Sequence, residues 1–109
     1  MSNTIAGFLG GNYEIILPMT GDLTVADAGT NLVVGTSGLG GGKTLTLPAI
    51  SQMVASQNLQ IEIVNSSGSG GTITIAKNSA DSTIIGQVTV LVATGVVAKH
   101  DGKKQWYIY

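Results

Sequence analysis

The chain has 109 residues, a length that fits one domain, and it contains 43% hydrophobic but only 10% charged residues. Its net charge is −1, with five basic and six acidic residues, so it lacks the clustered Lys and Arg that binding to nucleic acid or to an anionic membrane requires. The absence of Cys excludes disulfides and thiolate metal sites. Ordinary domains carry about 25% charged residues. Part of this uncharged surface is therefore expected to be buried against other copies of the chain.

Residues 1–11 combine three glycines with a few large apolar side chains, and they are predicted to form a flexible N-terminal arm. The segment has no basic stretch followed by an apolar run, so a secretory signal is not expected, and no run approaches the roughly 20 apolar residues of a membrane helix. The apolar anchors of the arm are Ile5, Phe8 and Leu9. Residues 12–109 are expected to form a single β-sandwich domain.

Alternating or β-branched apolar residues, separated by clusters of Gly, Ser, Asn and Asp, predict about eight short strands. In chain order, the predicted strands span residues 13–17, 23–25, 30–34, 43–47, 59–64, 72–76, 83–92, 96–100 and 105–109. Pro18 is expected to end the first strand, because proline cannot donate a hydrogen bond to a sheet. The glycine-rich segment 35–42 is predicted to be a mobile loop with little to bury. One short helix is predicted near residues 49–58, where three apolar residues share a helical face. These residues are Ile50, Met53 and Val54.

The predicted turns set the expected strand pairing. Strands 59–64 and 72–76 are expected to form a hairpin around the Gly/Ser segment between them, and the Asp-Gly pair at 101–102 predicts a hairpin near the C-terminus. Gly86 predicts a bend inside its strand, and residues 94–95 predict a turn. Strands this short and this regularly spaced predict an all-β fold, namely an antiparallel β-sandwich or a jelly roll.

The motifs in the sequence do not predict catalysis. Segment 38–44 resembles a phosphate-binding loop, but Ser37 occupies the position of the first glycine of that pattern, and the loop opens a predicted strand instead of a helix. His100 is the single histidine, and the isolated carboxylates lie mostly in predicted turns. We therefore expect no enzyme, no catalytic or metal-binding residues and no cofactor; a small hydrolase is the alternative, with no residues assigned to it.

Most of the aromatic residues lie in the last predicted strand. Trp106 and Ile108 share one face of that strand, and Tyr107 and Tyr109 share the other. The favoured interpretation puts Trp106 in the core and the two tyrosines at the rim of an interface or on the surface. The alternative is an aromatic platform on which sugars stack. Tyr107 and Tyr109 are therefore candidate partner-binding residues.

From residue 43 onward the sequence contains a distinctive succession of short segments. They are TLTLPA (44–49), IEIVN (61–65), TITIA (72–76), STIIG (82–86) and a closing DG…QWY (101–107). This succession resembles the small β-domains of tailed-phage virion proteins, which include capsid decoration (cement) proteins and the knobs of tail fibres and spikes. The resemblance covers about the last two-thirds of the chain. It implies a β-sandwich or jelly-roll trimer and carries no catalytic residues over.

Within that class, a chain that starts at Met1 without a shaft is expected to be a decoration protein. The resemblance implies a homotrimer that is made in the host cytoplasm, binds the major capsid protein on the outside of an assembled capsid and stabilises it. By analogy with cement proteins, the arm of residues 1–11 would dock on the shell, and Ile5, Phe8 and Leu9 would supply apolar contact as its partner-binding residues. The alternative is a receptor- or glycan-binding knob of a tail fibre or spike.

Overall fold

The computed structural model describes residues 15–25, 30–49, 60–79, 83–100 and 105–109, and every regular element within these ranges is a β-strand. The strands are β1 (Ile15–Met19), β2 (Leu23–Thr24), β3 (Thr30–Gly35), β4 (Lys43–Thr46), β5 (Gln60–Asn65), β6 (Ile73–Ala76), β7 (Thr83–Gly86), β8 (Thr89–Val90), β9 (Thr94–His100) and β10 (Gln105–Ile108). The all-β prediction is confirmed for this part of the chain, with ten strands instead of about eight. The predicted arm, residues 1–11, lies outside the described residues. So does the predicted helix at 49–58 except for Ala49, which is not helical.

The strands alternate between two sheets along the chain as far as β9. The six-stranded sheet has the order β1-β3-β5-β9-β10-β7, and the four-stranded sheet has the order β2-β4-β6-β8. Strands β1, β3 and β5 are parallel neighbours in the first sheet, and β2, β4 and β6 are parallel neighbours in the second. The chain therefore makes three circuits through both sheets, β1–β2, β3–β4 and β5–β6, and each circuit adds one strand to each sheet.

The predicted strand directions are wrong for most of the molecule. Five of the eight strand pairs among the described residues are parallel, so the fold is not an antiparallel sandwich, and a jelly roll is not confirmed. The predicted hairpin of 59–64 with 72–76 is also wrong, because β5 pairs with β3 and β9, whereas β6 pairs with β4 and β8. The segment between β5 and β6 is bonded back to the preceding circuit: Ser66 donates to Gly35 O through both its N–H (3.0 Å) and its hydroxyl (2.6 Å). The chain thus moves from one sheet to the other instead of reversing within one.

Every antiparallel pair among the described strands includes β8 or β9. Strand β9 pairs antiparallel with both β5 and β10, so the predicted C-terminal hairpin is confirmed, although residues 101–104 lie outside the described ranges. The bend predicted at Gly86 is also confirmed: the predicted strand 83–92 divides there into β7 and β8, which belong to different sheets. The turn predicted at 94–95 is wrong, because both residues lie in β9. The turn comes earlier, where Thr94 N–H bonds Leu91 O at 3.1 Å.

Pro18 lies inside β1 and does not end it, contrary to the prediction. Strand β1 is an edge strand whose sheet partner is β3. A proline is tolerated at an edge because its missing N–H interrupts no ladder on the open side. The prediction fails because the position of β1 at the edge of a sheet depends on the tertiary structure and cannot be deduced from the local sequence.

One hydrophobic core lies between the two sheets and gives the fold a sandwich-like character. The buried residues that form it include Val33, Ile61, Ile63, Val96, Ala98, Trp106 and Ile108 from the six-stranded sheet and Leu45, Ile73, Ile75 and Val90 from the four-stranded sheet. The alternation predicted for 43–47 is confirmed, as is that of residues 60–64 in the predicted strand 59–64; Leu59 lies outside the described residues. Loop 35–42, predicted to bury little, instead inserts Leu39 into the core with none of its surface exposed.

Candidate interaction surface

The outer face of the six-stranded sheet is unusually apolar. We define this face by the residues that alternate with the core residues of β3, β5, β9 and β10 and therefore point away from the core. Its apolar members are Leu32, Val34, Val64, Val97, Tyr107 and Tyr109. Strands β3, β5 and β9 are neighbours in the sheet. Their register places Val34 beside Val64, and it places Leu32 in one row with Glu62 and Val97.

The two tyrosines predicted as partner-binding residues both lie on this outer face. Tyr107 is half-buried, and its hydroxyl donates to Gln105 Oε1 at 3.0 Å. Tyr109 is 70% exposed, although its backbone continues the ladder by exchanging hydrogen bonds with Val97. Its ring is therefore presented to solvent from a backbone that the sheet holds in place.

Charge on the outer face is sparse. Glu62 and Lys99 are exposed, and the Lys99 ammonium lies 5.8 Å from the centroid of the Tyr109 ring, within the range of a cation–π contact. Gln60 lies opposite Lys99 in the register of β5 and β9. Among the described residues, the face therefore combines two tyrosine rings, one cation and one anion with apolar side chains, a composition that suits contact with another protein or with a polar ligand that stacks.

A second apolar surface lies where the two sheets end on the same side of the molecule. The chain passes from β7, the edge of the six-stranded sheet, to β8, the edge of the four-stranded sheet, through only residues 87–88. We call residues 85–92 the β7–β8 ridge. Ile85 and Leu91 are 48% and 54% exposed, and Val88 and Val92 are exposed as well.

Gly86 makes this passage between the sheets possible. Its φ of +118° lies in a region that L side chains rarely adopt, and a Cβ at this position would overlap the Ile108 carbonyl oxygen. Beyond it, Val88 O accepts a hydrogen bond from Ile75 N–H at 2.7 Å, which fixes the ridge to β6. The exposed apolar side chains of the ridge are thus carried on a well-bonded backbone.

The residues weighed for chemistry occupy structural positions. The glycine-rich loop leads into β4 and not into a helix, so the predicted context of segment 38–44 is confirmed. His100 packs edge-on against Trp106 with 5.6 Å between ring centroids, and Trp106 is fully buried, as predicted. Asp22 Oδ1 accepts a hydrogen bond from Thr44 N–H at 2.8 Å and thereby links the first circuit to the second.

The described ranges lack two further features. They contain no group of three or more His, Cys, Asp or Glu side chains placed to hold a metal ion. Within the same ranges, no helix is long and apolar enough to cross a membrane. The expectation that the chain is not an enzyme stays a prediction, since neither result tests it.

The structure brings together only part of the predicted contact set. Tyr107 and Tyr109 lie on one face, whereas Ile5, Phe8 and Leu9 lie outside the described residues. Sequence reasoning missed the ridge, because segment 83–92 was treated as one strand. The available signal was the absence of any charged residue from 82 to 98. Comparison of the chain with protein-family models, curated proteins and solved structures gives no match.

Proposed function

We propose that this chain is a non-enzymatic structural protein of a phage virion, which binds the outside of an assembled capsid as a homotrimer and stabilises it. The observation that carries the proposal is the exposure of large apolar side chains on a scaffold with little charge, on the outer face and on the β7–β8 ridge. Contiguous exposed apolar surface is a mark of protein–protein contact sites. The resemblance of residues 43–109 to small virion β-domains supplies the biological setting.

The proposed activity needs binding and no reaction. A protein that binds the assembled shell, but not its separated subunits, stabilises the shell by mass action. Three copies held together present three identical contact sites, so that weak individual contacts add through effective concentration. Tyr107 and Tyr109 of the outer face are the proposed contacts with the major capsid protein, together with Ile5, Phe8 and Leu9 of the N-terminal segment.

A receptor- or glycan-binding knob of a tail fibre or spike is the second candidate, and one observation favours it. Tyr109 offers an exposed ring beside the Lys99 ammonium, a combination that can stack on a sugar and bond its hydroxyls or acidic groups. Trp106 is buried and is unavailable for stacking. An aromatic platform on this chain would therefore depend on the tyrosines alone.

Co-sedimentation with intact capsids of the phage that encodes the chain tests the proposal. We expect the chain to sediment with the capsids and to raise their melting temperature, and we expect Tyr109→Ala to weaken binding about tenfold or more. Thr74→Ala, at an exposed position of the four-stranded sheet, is the matched control and should bind normally. The chain's mass in solution is measured by light scattering.

Three outcomes decide between the candidates. Capsid binding that is lost in Tyr109→Ala but kept in Thr74→Ala supports the decoration role. Reproducible binding to a glycan array that depends on Tyr109, without capsid binding, would favour the knob. A chain that is monomeric at micromolar concentration and does not sediment with capsids would refute the proposal of a homotrimeric decoration protein.

A further inference from the structure

The exposed apolar side chains are concentrated in one short segment. Among the described residues, five large hydrophobic side chains are exposed, and four of them belong to the β7–β8 ridge. These four are Ile85, Val88, Leu91 and Val92. Scattered apolar residues on a surface need no explanation, but a cluster within eight consecutive residues does. It marks the ridge as a surface that another molecule covers.

The charge pattern identifies what kind of molecule that is. A symmetry axis brings identical residues of neighbouring copies together, so any charge close to the axis faces its own like and is repelled. The chain has no charged residue from 82 to 98, a range that contains the whole ridge. Ridges of two or three copies can therefore meet around an axis without bringing like charges of the segment together, and each covers the apolar side chains of the other. Lys99 of the outer face lies in one row with Ile85, on the far side of Tyr107.

The two edge strands of the six-stranded sheet differ in their protection against pairing with another strand, and this difference also points to the ridge. Edge strand β1 contains Pro18, a common device against pairing with another strand. Edge strand β7, at the opposite end, contains neither proline nor charge, and Ile85 is 48% exposed on it. The edge without protection is the edge that carries the ridge, as expected if a neighbouring copy covers it in the assembled state.

We infer that the β7–β8 ridge is the surface through which copies of this chain contact one another around a symmetry axis. The inference rests on the self-association in the proposed function and assigns it a location. The ridge adjoins the outer face at Ile85, the register partner of Tyr107. Leu91 lies beyond β8 of the other sheet, so Leu91 and Tyr109 can be changed independently.

Introducing a charge on the ridge tests the inference. Leu91→Lys would place like charges next to one another at the axis, and we expect it to raise the concentration at which the oligomer dissociates by about tenfold or more. Leu91 is 54% exposed, so this change leaves the core intact, and circular dichroism melting checks that the fold is kept. Thr24→Lys introduces the same charge at an exposed position of β2, the opposite edge of the four-stranded sheet from β8, and should leave the oligomer unchanged.

A cysteine cross-link provides a second measurement that does not depend on destabilisation. The natural chain has no Cys, so any disulfide between copies must come from the introduced residue. We expect Leu91→Cys or Ile85→Cys to give a covalent dimer band on oxidation, and Thr24→Cys, at the opposite edge of the four-stranded sheet, to give none.

The outcomes separate this inference from the proposed function. An oligomer that persists unchanged in Leu91→Lys, with no cross-link through either ridge cysteine, would overturn the inference and leave the proposed function standing. A natural chain that is monomeric would overturn both. An oligomer that dissociates in Leu91→Lys while Tyr109→Ala remains oligomeric would support separate roles for Leu91 and Tyr109.

Discussion

Replacing Asn65 with Ala should lower the free energy of unfolding by a large fraction of the total. The side chain is fully buried at the end of β5, and its Nδ2 donates to Gly71 O at 2.9 Å and to Val90 O at 3.0 Å. Gly71 lies just before β6, and Val90 lies in β8. The Asn65 amide therefore links the six-stranded sheet to the four-stranded sheet. Asn65→Ala leaves both carbonyl oxygens without this donor.

The magnitude follows from the environment of the two acceptors. Removal of the partner of a buried polar group lowers the free energy of unfolding by about 1–3 kcal/mol. The bond to Val90 O is buried, so we expect the full effect there. Gly71 O also accepts a hydrogen bond from the Ser69 hydroxyl at 3.2 Å, and its bond to Asn65 is only partly buried, so the cost at this oxygen is smaller. We expect a total loss of about 2–4 kcal/mol. A domain of this length has about 5–15 kcal/mol in all.

Urea unfolding measures this loss conveniently, because Trp106 is the single tryptophan and is fully buried, so its fluorescence reports on the core. Asn65→Asp, which keeps the size but replaces the donor with an acceptor, should be at least as damaging as Asn65→Ala. Gln60→Ala, at the exposed start of the same strand, is the control and should change stability by less than about 0.5 kcal/mol. If Asn65→Ala proves as stable as the control, the amide does not tie the sheets together as argued.

The remaining predictions concern a glycine and a leucine. Gly86→Ala should destabilise the protein by about 2–3 kcal/mol or more, since φ is positive there and a Cβ would overlap Ile108 O. Gly40→Ala, with open space around the Cβ, is the matched control. Equal melting temperatures for the two variants would contradict the explanation. Leu39→Ala should cost about 2–5 kcal/mol in urea unfolding, because this loop residue is fully buried. Leu91→Ala, at an exposed position, should lower the free energy of unfolding of the separated subunit far less. Similar losses of stability in Leu39→Ala and Leu91→Ala would refute the claim that Leu39 anchors the loop.

The sequence predicted side-chain orientation well because alternation is a local property of a strand. Ile61 and Ile63 face the core as expected, and the last strand buries Trp106 while it presents Tyr107 and Tyr109 outward. Each of these assignments depends only on a period of two along five or six residues. The tyrosine half of the candidate surface was predictable for the same reason.

Strand partners could not be predicted in the same way. Whether β5 and β6 form a hairpin depends on where the intervening segment is bonded, and that is decided by Ser66 contacting Gly35, about thirty residues earlier in the chain. The ridge was missed for a related reason. Gly86 was expected to bend one strand, but the sequence does not tell that the bend transfers the chain to another sheet.

The stacking of successive circuits has a consequence for how the chain acquires its structure. Ile63 is paired with Val33 and Val96, each about thirty residues away, and among the described strands only β9 and β10 pair with a neighbour in sequence. All-β chains dominated by such distant pairings reach the native state in milliseconds to seconds, because long loops must close before any ladder forms. During synthesis on the ribosome, β5 emerges before β9, which is its partner on one side. The sheet is therefore completed only after β9 and β10 have been synthesised, and assembly with other copies follows that step.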